Sequence, residues 1–163
     1  MNEFDTITHF FHKKVQHPES NVVGIGDDAA IIQVPTGYQL ISTIDTLVYG
    51  IHFPMETTPF DVGYKSVAVS LSDLAAMGAE PTGLLMSLTL PDSDHEWLTE
   101  FSRSAFKILT DFSVDLVGGD TTHGPLSIST VAYGLVPANT AILRSGAKVG
   151  DAIFVSGTIG DAG

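Results

Sequence analysis

Five aspartates carry the chemistry legible in this chain: Asp27 and Asp28, adjacent in "GIGDDAA" (24–30), Asp45 in "STIDT", Asp73 in "SVAVSLSDLAAMGA" and Asp120 in "LVGGDTT". Small residues, mostly Gly, Ser and Thr, adjoin them and leave room for a ligand. Neighbouring ionised carboxylates repel, so each must stay in water or meet a cation. The stretch around Asp73 is so rich in small and apolar residues that it reads as a helix buried on most sides. An unpartnered carboxylate there would be costly or would hold a proton. With no cysteine and only oxygen donors at these positions, the expected partner is a hard divalent ion, magnesium before calcium. The calcium-loop pattern D-x-[DN]-x-[DN]-G is absent, and the six histidines show no zinc spacing.

Magnesium held by few carboxylates keeps waters and bridges to phosphates. Neither a P-loop nor a Gly-x-Gly-x-x-Gly helix opening is present, so phosphates would enter through metal ions placed between their oxygens and the aspartates. Arg144, in "AILRSGAKVGD", has the planar fork that suits a phosphate oxygen or an adenine face; a plain surface arginine is the alternative.

Composition narrows the partners. The chain has 163 residues, 19 acidic against 7 basic, a formal net charge of −12 and 44% hydrophobic residues. That is enough for one domain with a core. So acidic a chain repels nucleic-acid phosphates and anionic membranes, so neither is an expected partner. No apolar run approaches the roughly 18 residues of a membrane span, and the start, "MNEFDTITHFF", lacks the basic-then-apolar order of a secretory signal. The absence of cysteine fits a reducing cytosol.

The elements that must position these residues follow from periodicity. Residues 2–14 read as an amphipathic helix with Phe4, Ile7, Thr8 and Phe11 on one face, closed by Lys13 and Lys14. Segments 29–34 and 39–44, separated by "PTG", read as a hairpin with Asp45 at its end. Thr58, Pro59 and Asp61 open a helix over 59–77 that Gly78 closes. A strand follows at "GLLMSLTLP". Ser93 with Glu96 then reads as a capping box for a helix over 94–112, with Trp97, Phe101, Ile108 and Leu109 inward. Strands at 114–118, followed by Asp120, and at 126–136 come next, then a connector and a strand beginning at "AIFVSG". The expected fold class is an α/β (α+β) sandwich: a mixed sheet with helices on one face. Stopping at "GTIGDAG", just after a strand and a glycine turn, the chain reads as an N-terminal piece. Residues 1–138 are the expected nucleotide and dimerisation domain; 139–163 are the connector and the first strand of a second domain.

Taken in order, "GIGDDAA", "DTLVYGIHF" (45–53), "YKSVAVSLSDLAAMGAEP" (64–81), "LVGGDTT" and "LRSGAKVGD" resemble the thiamine-monophosphate kinases. These belong to the superfamily of aminoimidazole-ribonucleotide synthetase and selenophosphate synthetase. The resemblance implies a cytoplasmic homodimer whose N-terminal sheets pair into a β-barrel. It implies transfer of the γ-phosphoryl group of ATP onto thiamine monophosphate with several magnesium ions. By position it implies metal ligands at Asp27, Asp28, Thr43, Asp45, Asp73 and Asp120, nucleotide contacts at Gly119, Asp120 and Arg144, and a thiamine monophosphate contact at His52. Ile44 departs from the family, which places a hydroxyl there. The family also continues into a second domain that supplies a further aspartate and most of the thiamine pocket.

An acceptor phosphate oxygen is already nucleophilic near neutral pH, so no catalytic base is expected and no aspartate attacks anything. The alternatives are another ATP-using enzyme of the superfamily, or a non-catalytic nucleotide-binding or dimerisation module. Selenophosphate synthetase is disfavoured because its N-terminal Cys or selenocysteine is absent; aminoimidazole-ribonucleotide synthetase is disfavoured by "DTLVYGIHF".

Overall fold

The computed structural model describes residues 3–12, 16–92, 94–155 and 157–159. Its centre is a four-stranded mixed sheet built from β3 (Tyr38–Val48), β4 (Glu80–Leu90), β5 (Asp115–His123) and β6 (Ser127–Pro137), in the order β3-β6-β4-β5. Only the β4–β5 pair is parallel, and α3 (His95–Asp111) makes its crossover. Helix α2 (Pro59–Ala76) connects β3 to β4 and packs with α3 on one face of the sheet. A mixed sheet covered by helices on one face is therefore correct.

Local chemistry sets the helix ends. Thr58 caps α2, its Oγ1 accepting from Asp61 N (3.2 Å) and donating to Asp61 Oδ2 (2.6 Å), with Pro59 in the first turn. Gly78 follows the last turn at φ +71°, a left-handed conformation that glycine adopts without strain. At α3 the cap is Asp94, whose Oδ1 accepts from Glu96 N and Trp97 N; Ser93, expected in that role, lies outside the described residues. Val62, Val67, Leu71 and Leu74 of α2 meet Leu98, Phe101, Ile108 and Leu109 of α3 over the buried Leu84, Met86, Leu88, Ile128 and Ala132 of the sheet. Each such large side chain contributes about 1.5–3 kcal/mol of burial free energy.

Several expectations need correction. The hairpin over 29–44 does not form. β2 (Ile31–Ile32) folds back on β1 (Asn21–Val23), whereas β3 pairs along its whole length with β6, Tyr38↔Pro137 through Val48↔Ser127. Eleven antiparallel pairs outweigh anything a local hairpin could offer β3. Asp45 and Asp120 lie within strands rather than after them, because the ladders continue past both. The N-terminal segment is α1 (Glu3–Thr6) followed by a π-helical turn at Ile7–Phe11, ending before Lys13 and Lys14, which lie outside the described residues. Residues 152–155, expected to start a strand, carry no regular structure, and Ile153 and Phe154 are exposed.

Candidate functional site

The sheet face away from α2 and α3 bounds a cavity of about 960 Å³. Its floor is made of sheet residues, among them Ile44, Leu85, Gly118, Asp120 and Val131. Its rim is formed by residues 25–30 and by Ile7, Phe11 and His12. Asp27, Asp28 and Asp120 therefore share one cavity although 92 positions separate Asp28 from Asp120. The loop between β1 and β2 carries the first two. Gly26 takes φ +121° there, and Asp27 Oδ1 accepts from Asp28 N (2.8 Å), turning the chain back.

Gly119 allows β5 to approach β4 beside Asp120. A Cβ at this position would lie 1.8 Å from Met86 O, on the neighbouring strand. Backbone rather than side chain thus forms the wall next to the acid, the surface a phosphate can approach most closely.

Asp45 and Asp73 are not in this cavity. Both lie where β3 meets α2, each held by a hydroxyl from the other element: Ser70 Oγ donates to Asp45 Oδ2 and Thr43 Oγ1 to Asp73 Oδ2, both at 2.7 Å. Ser70 Oγ also lies 2.8 Å from Thr130 Oγ1, a pair in which either hydroxyl can donate. Asp73 is exposed. The premise that its helix buries it is wrong: α2 buries Ser66, Ser70, Leu71 and Leu74, while Ser72, Asp73, Ala75 and Ala76 face outward. Its exposure means that burial does not by itself require a cation there. Ile44 is 66% exposed.

His52 lies in the turn after β3. Its Nδ1 accepts from Val48 N (3.0 Å), so the neutral ring carries its proton on Nε2, free to donate. Arg144, in a 3₁₀ turn at Arg144–Gly146, is exposed and makes no side-chain hydrogen bond or ion pair with the described residues.

No described Lys or Arg pairs with any of the five aspartates. Among the described residues no three His, Asp or Glu side chains come close enough to enclose a metal by themselves. Magnesium does not require that. One or two carboxylates suffice when water and substrate phosphates complete its octahedron. A cavity whose charged groups are the carboxylates of Asp27, Asp28 and Asp120, next to a glycine-lined backbone wall, fits that ion.

Sequence reasoning missed Asp115. Flanked by Val114 and Leu116 it reads as an ordinary strand residue, yet it is 4% exposed and ties the N-terminal segment to β5. A charged residue in an apolar run was the available signal.

A one-faced sheet with an acidic cavity on its open side defines the class. Residues 26–136 match the family model "AIR synthase related protein, N-terminal domain", and the chain belongs to that family. Within it, the chain is 49% identical over 161 residues to a thiamine-monophosphate kinase of Buchnera aphidicola subsp. Schizaphis graminum, covering 99% of this chain and 50% of that protein. The thiamine-monophosphate kinase of Stenotrophomonas maltophilia superposes with a TM-score of 0.72 at 46% identity, over 76% of this chain and 39% of that one. A structure described as AaThiL complexed with AMPPCP and TMP superposes with a TM-score of 0.71 at 31% identity, over 95% of this chain and 47% of that one. The chain spans about half the length of the curated relatives it matches.

Proposed function

We propose that the chain contributes the nucleotide- and metal-holding half of a thiamine-monophosphate kinase, an enzyme that phosphorylates thiamine monophosphate to thiamine diphosphate with ATP. One observation carries this reading: Asp27, Asp28 and Asp120 share a cavity with the Gly118–Gly119 backbone and no described basic side chain pairs with them. Its support is the likeness to named thiamine-monophosphate kinases over nearly the whole chain, and a relative solved with AMPPCP and TMP.

In this reading Asp27, Asp28 and Asp120 hold magnesium on the ATP phosphates, and Asp45 and Asp73, with Thr43, serve a separate ion on the α2 side. Bound magnesium supplies charge neutralisation on the transferring phosphoryl group. The Gly119 backbone lies against the phosphates, Arg144 contacts the nucleotide and His52 Nε2–H donates to the thiamine monophosphate. The acceptor phosphate oxygen attacks in line without a general base, so these residues act by positioning. Residues 1–138 form the nucleotide-binding and dimerisation unit, in a cytoplasmic homodimer whose sheets close into a barrel; residues 139–163 lead to the domain completing the thiamine pocket.

The test is Asp120→Asn in the full-length enzyme, assayed for thiamine diphosphate formation. Asp120 is exposed, so the expected result is loss of turnover with an unchanged unfolding midpoint. Near-normal rates at saturating magnesium would refute the assignment.

A further inference from the structure

We propose that Asp115 is a positioning residue: it clamps residues 16–21 to the start of β5 and thereby sets where the 24–30 loop holds Asp27 and Asp28 relative to Asp120. The functional part of this proposal rests on the phosphotransfer reading above.

Asp115, Asn21 and Tyr133 are all nearly inaccessible, at 4%, 2% and 2% exposure. No described Lys or Arg pairs with the Asp115 carboxylate. It is satisfied instead by N–H donors of the N-terminal segment: Gln16 N to Oδ1, and His17 N and Asn21 Nδ2 to Oδ2, the last two at 2.8 Å. Bonds to an ionised acceptor are shorter and stronger than neutral ones, so a carboxylate here holds backbone that an apolar residue could not. Asn21 extends the clamp. Its amide also donates to Thr82 O (2.9 Å) and its Oδ1 accepts from Tyr133 O–H (2.8 Å). Gly83 leaves the space for that phenol, since a Cβ there would lie 2.2 Å from the Tyr133 oxygen. Burial and the Asp115 charge both raise the Tyr133 pKa, keeping the phenol a donor. Beside it, His17 Nε2 bonds Ser113 O and Gln16 Nε2 donates to Val114 O.

The consequence for the site follows from connectivity. Asn21 is the first residue of β1, which pairs only with the two-residue β2, and the loop joining them carries Asp27 and Asp28. So small a ribbon depends on its anchors: besides the Asp115 clamp it has Gln33 N donating to Ser20 O (2.8 Å) and Ile25 packed against the core. Asp115 begins the strand that carries Asp120, so one carboxylate references both arms of the cavity to each other.

The test compares Asp115→Asn with wild type in the full-length protein. The amide puts an N–H donor against at least one N–H donor now facing the carboxylate. Amide hydrogen exchange in 16–28 should accelerate while the interiors of α2 and α3 stay protected. Half-saturating magnesium for binding a non-hydrolysable ATP analogue should rise about 10–100-fold, the usual effect of losing a group that orients metal ligands, and kcat at saturating magnesium should fall less. Unchanged exchange in 16–28, or half-saturation within about twofold of wild type, overturns the proposal. If Asp115→Asn does not fold, Tyr133→Phe decides, because it removes only the donor to Asn21: smaller shifts in both readouts support the clamp and unchanged values overturn it. Should wild type bind the analogue but make no thiamine diphosphate, the kinase reading falls while the clamp stands or falls on the same two readouts. Should wild type bind no nucleotide, exchange in 16–28 alone decides the clamp.

Discussion

Gly119→Ala tests whether close approach of β5 to β4 builds the wall of the cavity. The added Cβ would sit 1.8 Å from Met86 O, and 2.8 Å from Met86 C, whereas real Cβ atoms essentially never come within 3.0 Å of a neighbour. Met86 is the register partner of Gly119, so the obstruction is backbone on the adjacent strand and cannot rotate aside. The ladder must open locally by more than an ångström. Overpacking of this kind costs about 1–3 kcal/mol, and each strained or lost ladder hydrogen bond adds about 1 kcal/mol. A total of about 3 kcal/mol corresponds to a fall in Tm of roughly 6–12 °C for a chain of this size. Because the displaced residue adjoins Asp120, magnesium-dependent uptake of an ATP analogue should weaken in the same variant. The control is Gly146→Ala: nothing lies within 4 Å of its would-be Cβ and its φ is unremarkable, so its Tm should stay at the wild-type value. Calorimetric melting and titration of both variants decide the matter. Gly119→Ala with wild-type Tm and uptake would refute the reasoning that this glycine is needed for strand approach rather than incidental to it.

Two further outcomes follow from named contacts in the fold. Thr58→Ala removes the side-chain oxygen accepting from Asp61 N and should destabilise the protein by about 1 kcal/mol, read from the urea midpoint; no change would mean that Pro59 and the sheet contacts hold the helix start alone. Tyr133, whose pKa burial raises, gives an alkaline signature: above the ordinary phenol range near pH 10 the unfolded chain releases a proton that the folded chain keeps, so stability is lost as pH rises, by up to about 1.4 kcal/mol per pH unit. Tyr133→Phe should lack that slope in urea titrations at about pH 9 and pH 11, and parallel losses in both proteins would contradict it.

The parts of this fold that could be read along the chain are those whose causes are local. Thr58, Pro59 and Asp61 start α2, Gly78 ends it, and these act within one turn of helix. The partner of β3 is different in kind. Thr46 faces Ser129, 83 residues away, and nothing in "YQLISTIDTLV" names that partner rather than the nearer segment across "PTG". The exposure of Asp73 is not legible from its small neighbours, because the buried face of α2 is set by Ser66, Ser70 and Leu74. Asp115 has no such small neighbours to mark it, because its partners are Gln16, His17 and Asn21, more than 90 positions distant. The joining of Asp28 to Asp120 is likewise a product of topology, supplied by a crossover and a folded-back ribbon.

How the chain handles its charge explains why the cavity favours a metal. With 19 acidic residues and 7 basic ones, most carboxylates cannot have an ionic partner. The side-chain pairs of Arg103 with Glu100 and Lys107 with Asp111 lie together on the outer surface of α3, where exposed pairs contribute little. Elsewhere neutral donors serve: Ser70 for Asp45, Thr43 for Asp73, Thr58 for Asp61, backbone and Asn21 for Asp115. Neutral donors orient a carboxylate without cancelling its charge, and the same holds in the cavity, where Asp27 Oδ1 accepts from Asp28 N and no described Lys or Arg pairs with Asp27, Asp28 or Asp120. A bare triphosphate entering there would meet like charge on the rim and floor, and a hard cation travelling with it would meet the opposite. Nucleotide uptake should therefore depend steeply on the cation, and among the described residues no Lys or Arg lines the cavity to replace it.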